Sequence, residues 1–220
     1  MQSVAIGLVG YYPFIRGHPM GPELKRRLEA LSWPGRSVTI KEMNWGPIAI
    51  MQDFQASGEV FDRFVLVGAV DRGLEPGAVT GRRWVGGKLD AQMVQGRIFE
   101  AVTGIVSIDN LLVIGEHFRI WPGELITVEV QLSDNSVGEL ILDELEVQHR
   151  TGKVSVVGEQ PLAPDAERVV ATAVELTRRA VVEGHAMEGF AELSVEHLNP
   201  LAKVCHNQLI SDCVLRTPIQ

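Results

Sequence analysis

Three short stretches carry residues that folding alone does not call for. The first, "GLVGYYPFIRGHPMGPEL" from Gly7 to Leu24, keeps the glycines and prolines of a ligand-binding turn, offers the imidazole of His18, and has no carboxylate before Glu23. The second, "EMNWGP", sets the amide of Asn44 and the indole of Trp45 beside Gly46, a group suited to lining a substrate cleft. The third, "LVGAVDRGLEPGAV", ends an apolar run on Asp71. Imidazole is a common ligand of transition metals, so His18 is the candidate metal ligand of the three stretches. Each residue also has a plainer reading. His18 between Gly17 and Pro19 suits a hydrogen bond within a tight turn, and one imidazole alone holds a metal weakly. Asp71 before Arg72 and Gly73 suits a turn whose carboxylate bonds its own backbone. Trp45 beside a turn suits a plug at the edge of the core.

Other chemistries lack their residues. Gly7 and Gly10 open a nucleotide-binding fingerprint, but its third glycine is absent and "YYP" would crowd a pyrophosphate. There is no GxSxG elbow, no HExxH, and no cysteine in the surroundings of a nucleophile. Cys205, His206 and Cys213 supply three groups toward a zinc site that needs four, and the neighbouring sequence identifies no fourth. Ser3, Ser37 and Ser107 read as strand-edge or capping residues. Glu116 and His117 fall late in a helix and read as an exposed face. The carboxylate pairs Asp143/Glu144 and Glu144/Glu146 lie in an alternating segment that points them to solvent.

The elements that must position these stretches follow a repeated pattern. Val4 to Val9 is a continuous apolar run, as in a strand covered on both faces. Pro22 suits the first turn of a helix, and Leu24, Leu28 and Leu31 recur at helical spacing until "SWPG" ends it. "SVTIKEM" is a second strand, "NWGP" its turn, and Ile48 to Phe54 a short helix opened by Pro47. "FDRFVLVGAV" is a third strand, followed by a loop that runs into a short extended segment. Asp90 to Val102 reads as a helix, and Ser107 caps the next, whose apolar face ends at Pro122. "ELITVEVQL" is a strand whose alternating Glu124, Thr127 and Glu129 predict a place nearer the sheet edge. "DAERVVATAVELTRRAVVEG" is the closing helix, stopped by Gly184. Strands alternating with helices imply an α/β three-layer sandwich with a mostly parallel sheet covered on both faces.

Two parts depart from the pattern. Ser136 to Gln160 alternates apolar and charged residues around "RTGK" and reads as a hairpin-like insert. Residues 185–220 have short helical patches without a period and read as a C-terminal extension outside a domain of residues 1–184, a tail for docking on a partner. In open parallel sheets, ligands sit beyond the carboxyl ends of the strands, so the loops from Gly10 to Gly21, Met43 to Pro47 and Gly68 to Gly77 are the ones to inspect.

Composition narrows the partners. With 220 residues, 45% of them hydrophobic and 22% charged, the chain can bury a sizeable core. A formal net charge of -8 argues against sequence-independent nucleic-acid binding, which needs clustered cations. The pairs Arg26/Arg27, Arg82/Arg83 and Arg178/Arg179 are scattered and read as solvated faces. No apolar run reaches the ~18 residues that would insert in a membrane, and the start lacks the marks of a secretory signal, so a cytoplasmic location is expected.

The order of the three stretches resembles the hydrogenase maturation protease family, cytoplasmic endopeptidases that trim a C-terminal extension from the large subunit of nickel-iron hydrogenases after nickel insertion. "GLVGYYPFIRGHPMGPEL" stands where the family has a GxGNxxxxDDGxG-like turn, "EMNWGP" where it has a DGGT-like turn, and "LVGAVDRGLEPGAV" where it has VDAVDxGxxPG, the most specific match. "EAVTGIVSIDNLLVIGEHFRIWPGELITVEVQ" is similar to the family's helix, proline break and last strand, and "LAPDAERVVATAVELTRRAV" to its closing helix. The resemblance spans Val4 to Val181 apart from the insert, and implies a twisted sheet of about five strands. It also implies a partner, the nickel-loaded large subunit or another maturation protein, with nickel recognised on the substrate and no cofactor bound stably. The family's metal-reading acidic residue, aspartate and histidine correspond here to His18, Gly68 and Gly104. Both carboxylates and the histidine are therefore replaced. The alternatives that follow are an endopeptidase with a site relocated to His18 and Asp71, with His117 or Glu116 as further candidates; a non-catalytic assembly partner; or a small-molecule binding protein with a pocket between the "YYP" and "NWGP" loops.

Overall fold

Strand β1 (Gln2–Val9) is apolar on both faces from Val4 onward because both faces are covered and both edges are paired. In the computed structural model, the described residues are 1–9, 14–15, 18–132 and 164–198, together with positions 149, 150, 152 and 162; for residues 14, 15, 18 and 19 only the backbone is described. Residues 14–15 (β2) and 18–19 (β3) form a two-stranded antiparallel ribbon in which Ile15 pairs with His18. Helix α1 (Met20–Glu29) then buries Met20, Leu24 and Leu28, the spacing of one helical face.

β4 (Arg36–Met43) pairs parallel with β1 on one side, and β5 (Arg63–Val70) pairs parallel with β1 on the other. Helix α2 (Pro47–Ser57) makes the crossover between them, with Pro47 at its start, where a missing N–H costs nothing. The chain thus winds one way from β1 and then back past it, which sets a topological switch point between the carboxyl ends of β1 and β5. β6 (Val79–Trp84) returns from β5 without a helix and therefore runs antiparallel to its sheet neighbour, β7 (Glu124–Gln131). Helices α3 (Ala91–Val102) and α4 (Ile108–Phe118) intervene, capped by Asp90, which accepts from the Met93 N–H, and by Ser107, which accepts from the Asn110 N–H. Helix α5 (Pro164–Glu183) follows β7 in chain order.

The main sheet has the order β4-β1-β5-β7-β6 plus β8 (Ala191–Leu193), six strands rather than five. α1 and α5 cover one face, where Val4, Ile6, Leu8, Val65 and Val67 meet Val169, Val170 and Ala173. α2, α3 and α4 cover the other, where Phe64 and Leu66 meet Ile50, Met51, Leu111 and Leu112. The three-layer α/β sandwich inferred from the alternation is the observed architecture.

Three expectations change. β7 is a central strand between β5 and β6, and its Thr127 and Glu129 are wholly buried, so their alternation serves an internal polar cluster and not solvent. Arg82 is not a solvated residue but lies against Glu129, while Arg83 donates to the His185 carbonyl. The first part of the C-terminal extension belongs to the sheet: β8 pairs parallel with β6, and Met187, Phe190, Leu193 and Val195 enter the core. The short strand has too few residues for its period to be visible in the sequence. The hairpin expected over 136–160 lies outside the described residues except at 149, 150 and 152; of these, His149 and Arg150 are helical and exposed.

Candidate functional site

The carboxyl ends of β1 and β5 meet at Val9 and Gly68, which are register partners. A Cβ built on Gly68 would stand 3.0 Å from the Val9 carbonyl oxygen, 3.1 Å from the Val9 Cβ and 3.3 Å from the Ile108 Cδ1. Two of these neighbours belong to the paired strand and one to the start of α4, so a side chain here would press on both. Gly104, where the resemblance would set a histidine, lies in the exposed turn between α3 and α4 with a φ of 92°, a conformation that glycine adopts freely.

Asp71 begins the loop after β5. Its Oδ1 accepts from the Gly73 N–H at 3.1 Å, closing a turn on its own backbone, and from the Gln131 Nε2 at 2.9 Å. The hydrogen bond from Gln131 and then that from Gly73 hold its pKa below the ordinary value for aspartate. The Gln131 Oε1 in turn accepts from the backbone N–H groups of Arg72 at 2.7 Å and Leu74 at 3.2 Å. One amide at the end of β7 therefore clamps the whole turn, and the turn reading of Asp71 describes its geometry.

Beneath that turn lies an ion-paired cluster. Arg72 donates to both Glu129 oxygens at 3.1 and 3.0 Å, and to both Asp109 oxygens at 3.1 and 2.7 Å. The three side chains are 6%, 0% and 7% exposed, respectively. Arg82 Nε stands 3.2 Å from Glu129 as an ion pair without hydrogen-bond geometry, and Thr127 donates its hydroxyl to Glu129 at 3.1 Å. Burial works against the Arg72 cation, but its hydrogen bonds to Glu129 and then Asp109 overcome that cost and raise its pKa. Two guanidiniums thus face two carboxylates, and the cluster ties β5, β6, β7 and α4 together just below the switch point. A second set joins α3 to α4: Arg97 donates to Glu100 at 2.9 Å and to Asn110 at 3.3 Å, and Asn110 donates to the Ile105 carbonyl at 3.1 Å.

The remaining candidates scatter. His18 is placed by its backbone, in β3 just before α1; its side chain lies outside the described residues. Trp45 is 53% exposed, so it does not plug the core; it stands in the turn between β4 and α2 with Asn44 and with Gly46, which precedes Pro47 as the N-cap of α2. Glu116 is no bare exposed face, because it accepts from the Trp84 indole at 2.9 Å near the other end of the sheet. His117 is exposed, with its ring 5.1 Å from that of Phe118. Cys205, His206 and Cys213 lie outside the described residues, as do Asp143, Glu144 and Glu146. Among the described residues no cluster of three or more His, Cys, Asp or Glu side chains is placed to hold a metal.

Arg72, Asp109, Glu129 and Gln131 are the residues that sequence reasoning missed. The available signal was two polar side chains, Glu129 and Gln131, alternating with Val128 and Val130 at the end of the strand. The connections at the carboxyl edge of the sheet present apolar side chains to solvent: Trp45 after β4, Leu74 after β5, and Val102 and Ile105 between α3 and α4.

No protein-family model matches this chain, and no curated protein matches it. Several similar solved structures are hydrogenase maturation proteases. The hydrogenase maturating endopeptidase HybD from E. coli shares 14% identity over 84% of this chain and 99% of that chain, with a TM-score of 0.47. The endopeptidase HycI from Escherichia coli shares 22% identity over 89% and 99%, with a TM-score of 0.45. A pyrrolidone carboxyl peptidase from Fervidobacterium islandicum AW-1 is also similar, at 12% identity over 84% and 100%, with a TM-score of 0.41. At these identities and scores the chemistry must be argued from this chain's own residues.

Proposed function

We propose that this chain is a binding, non-cleaving relative of the hydrogenase maturation proteases, which engages the nickel-loaded large subunit of a nickel-iron hydrogenase at the carboxyl end of its sheet. The order of the three turn sequences along the chain supports the kinship. The observation that carries the non-cleaving reading is Gly68: the position that corresponds to the family's aspartate has no side-chain donor and is packed tightly against Val9 and Ile108. Below it, the carboxylates of Asp109 and Glu129 are committed to Arg72.

What the edge does offer is a surface. Trp45, Leu74 and Ile105 come from three different connections at the same end of the sheet, with Val102 at the adjoining end of α3, and an exposed tryptophan has the character of an anchor in a protein interface. The clamp of Gln131 on the loop after β5 keeps that surface in one shape before a partner arrives, which lowers the ordering cost of binding. The test is binding of the nickel-loaded, unprocessed large subunit to the wild-type chain and to Trp45→Ser, followed by calorimetry. Trp45→Ser should weaken binding by about ten-fold or more, the loss typical of an interface anchor. Equal affinity of the two proteins would remove the carboxyl edge as the docking surface.

A further inference from the structure

We propose that a separate cleft, at the opposite, amino-terminal end of the sheet, binds a small anionic ligand with a flat apolar body, of the aryl-carboxylate class. Residues 58–61 lead into β5 and residues 119–122 lead toward β7, and because these strands are parallel both connections open at the same edge. Between them lies a cleft of about 340 Å³, lined by Phe54, Val60, Phe61, Phe64, Arg119 and Trp121. That volume falls at the lower end of the range for small-molecule sites, about 300–1,000 Å³.

Its walls are aromatic and fixed. Phe54 packs edge-on against Phe61 at 6.5 Å and against Phe64 at 5.5 Å; Phe61 meets Phe64 at 5.9 Å, and Phe64 meets Trp121 at 5.2 Å. Trp121 is fixed along its nitrogen edge: its Nε1 donates to the Leu112 carbonyl at 3.2 Å, and the same edge fills the space where Gly115 lacks a side chain. A flat ring entering the cleft would meet aromatic faces and edges already in place, the arrangement in which aromatic pairs gain most.

The charge at the mouth selects an anion. Glu59 is paired with Lys41, whose ammonium also lies 5.0 Å from the centre of the Phe54 ring. The Arg119 guanidinium has no hydrogen-bond or carboxylate partner among the described residues. Of the two charged residues that line the cleft, Glu59 is therefore neutralised by Lys41 from outside it, which leaves Arg119 as the charge facing a ligand. Arg119 is also the one non-glycine residue with positive φ among those described, at 56°, where a helix usually ends on glycine. Its charge suits the carbonyl end of α4, and its fork of N–H donors remains available to a carboxylate in a bidentate pair.

The test uses the full chain with 3-phenylpropionate and its uncharged amide as probes, read by calorimetry and by ligand-observed NMR. The acid should bind saturably and at least about five-fold more tightly than the amide, the scale of a partly exposed ion pair. Arg119→Gln should bring the acid down to the level of the amide. Val60→Glu, at a mouth position that is 85% exposed and so harmless to the core, should weaken the acid more than the amide. Absence of saturable binding, equal affinity for acid and amide, or an unchanged acid affinity in Arg119→Gln would each overturn the proposal.

Discussion

Replacing Arg72 by methionine removes the cation from the cluster at the carboxyl end while keeping much of the side chain's apolar volume. Glu129 and Asp109, at 0% and 7% exposure, would then lose four hydrogen bonds of 2.7–3.1 Å between them. Removing one partner of a buried pair costs about 3–5 kcal/mol, because a charge is left stranded. Arg82 remains 3.2 Å from Glu129 and offsets part of that, so the lower end, about 3 kcal/mol, is the expected loss. With a urea m-value of about 2 kcal/mol/M, the unfolding midpoint should fall by about 1.5 M, measured by circular dichroism with linear extrapolation. Adding Asp109→Leu to Arg72→Met should restore part of the loss by removing a buried carboxylate that no longer faces the Arg72 cation, which a loss of packing alone would not do. A destabilisation below about 1 kcal/mol, the worth of an exposed pair, would refute the reading of this cluster as a buried structural unit. It would also reopen Asp109 and Glu129 as groups available for chemistry.

Other perturbations test other parts of the account. Gly68→Ala should destabilise by about 1–2 kcal/mol in urea titrations, overpacking against Val9 and Ile108 outweighing the smaller gain from a stiffer unfolded chain; a stabilised variant would show that the switch point has room. Ser107→Ala should cost about 1 kcal/mol in the same assay by exposing the Asn110 N–H at the start of α4. Glu23, held at about pKa 2 by its hydrogen bond from Arg26 and then by Arg27, against partial desolvation, contributes stability above its ordinary value of 4.5 that is lost as pH falls toward 2. Glu23→Gln should therefore flatten the stability profile between those values, by at most about 1 kcal/mol given its exposed partners; a profile identical to wild type would remove that pair from the acid response.

The layered architecture was legible because continuous apolar runs, Pro47, Asp90, Ser107 and Gly184 each mark a boundary by local chemistry that the structure keeps. The edge placement of β7 misled because the polar alternation of a half-solvated strand and that of a strand with a buried ion cluster are the same string of letters. Only the three-dimensional arrival of Arg72 from one loop and Arg82 from another distinguishes them. β8 was invisible for a different reason: three residues carry no period, and its pairing with β6 is a contact across more than a hundred positions. At the candidate site, the turn role of Asp71 was readable from the Asp-Arg-Gly sequence, since its partner Gly73 is two residues away. The clamp by Gln131, some 60 residues distant, was not. The glycine at position 68 was readable in the sequence, while the packing of Val9 and Ile108 around it arises only in the folded chain.

The intact mass of a nickel-loaded, unprocessed hydrogenase large subunit, measured before and after incubation with stoichiometric protein and on the isolated complex, tests the account most directly. A stable complex in which the subunit keeps its full mass is the expected result. Release of a short C-terminal peptide, with the corresponding loss of mass from the subunit, would contradict it and return the chain to proteolysis.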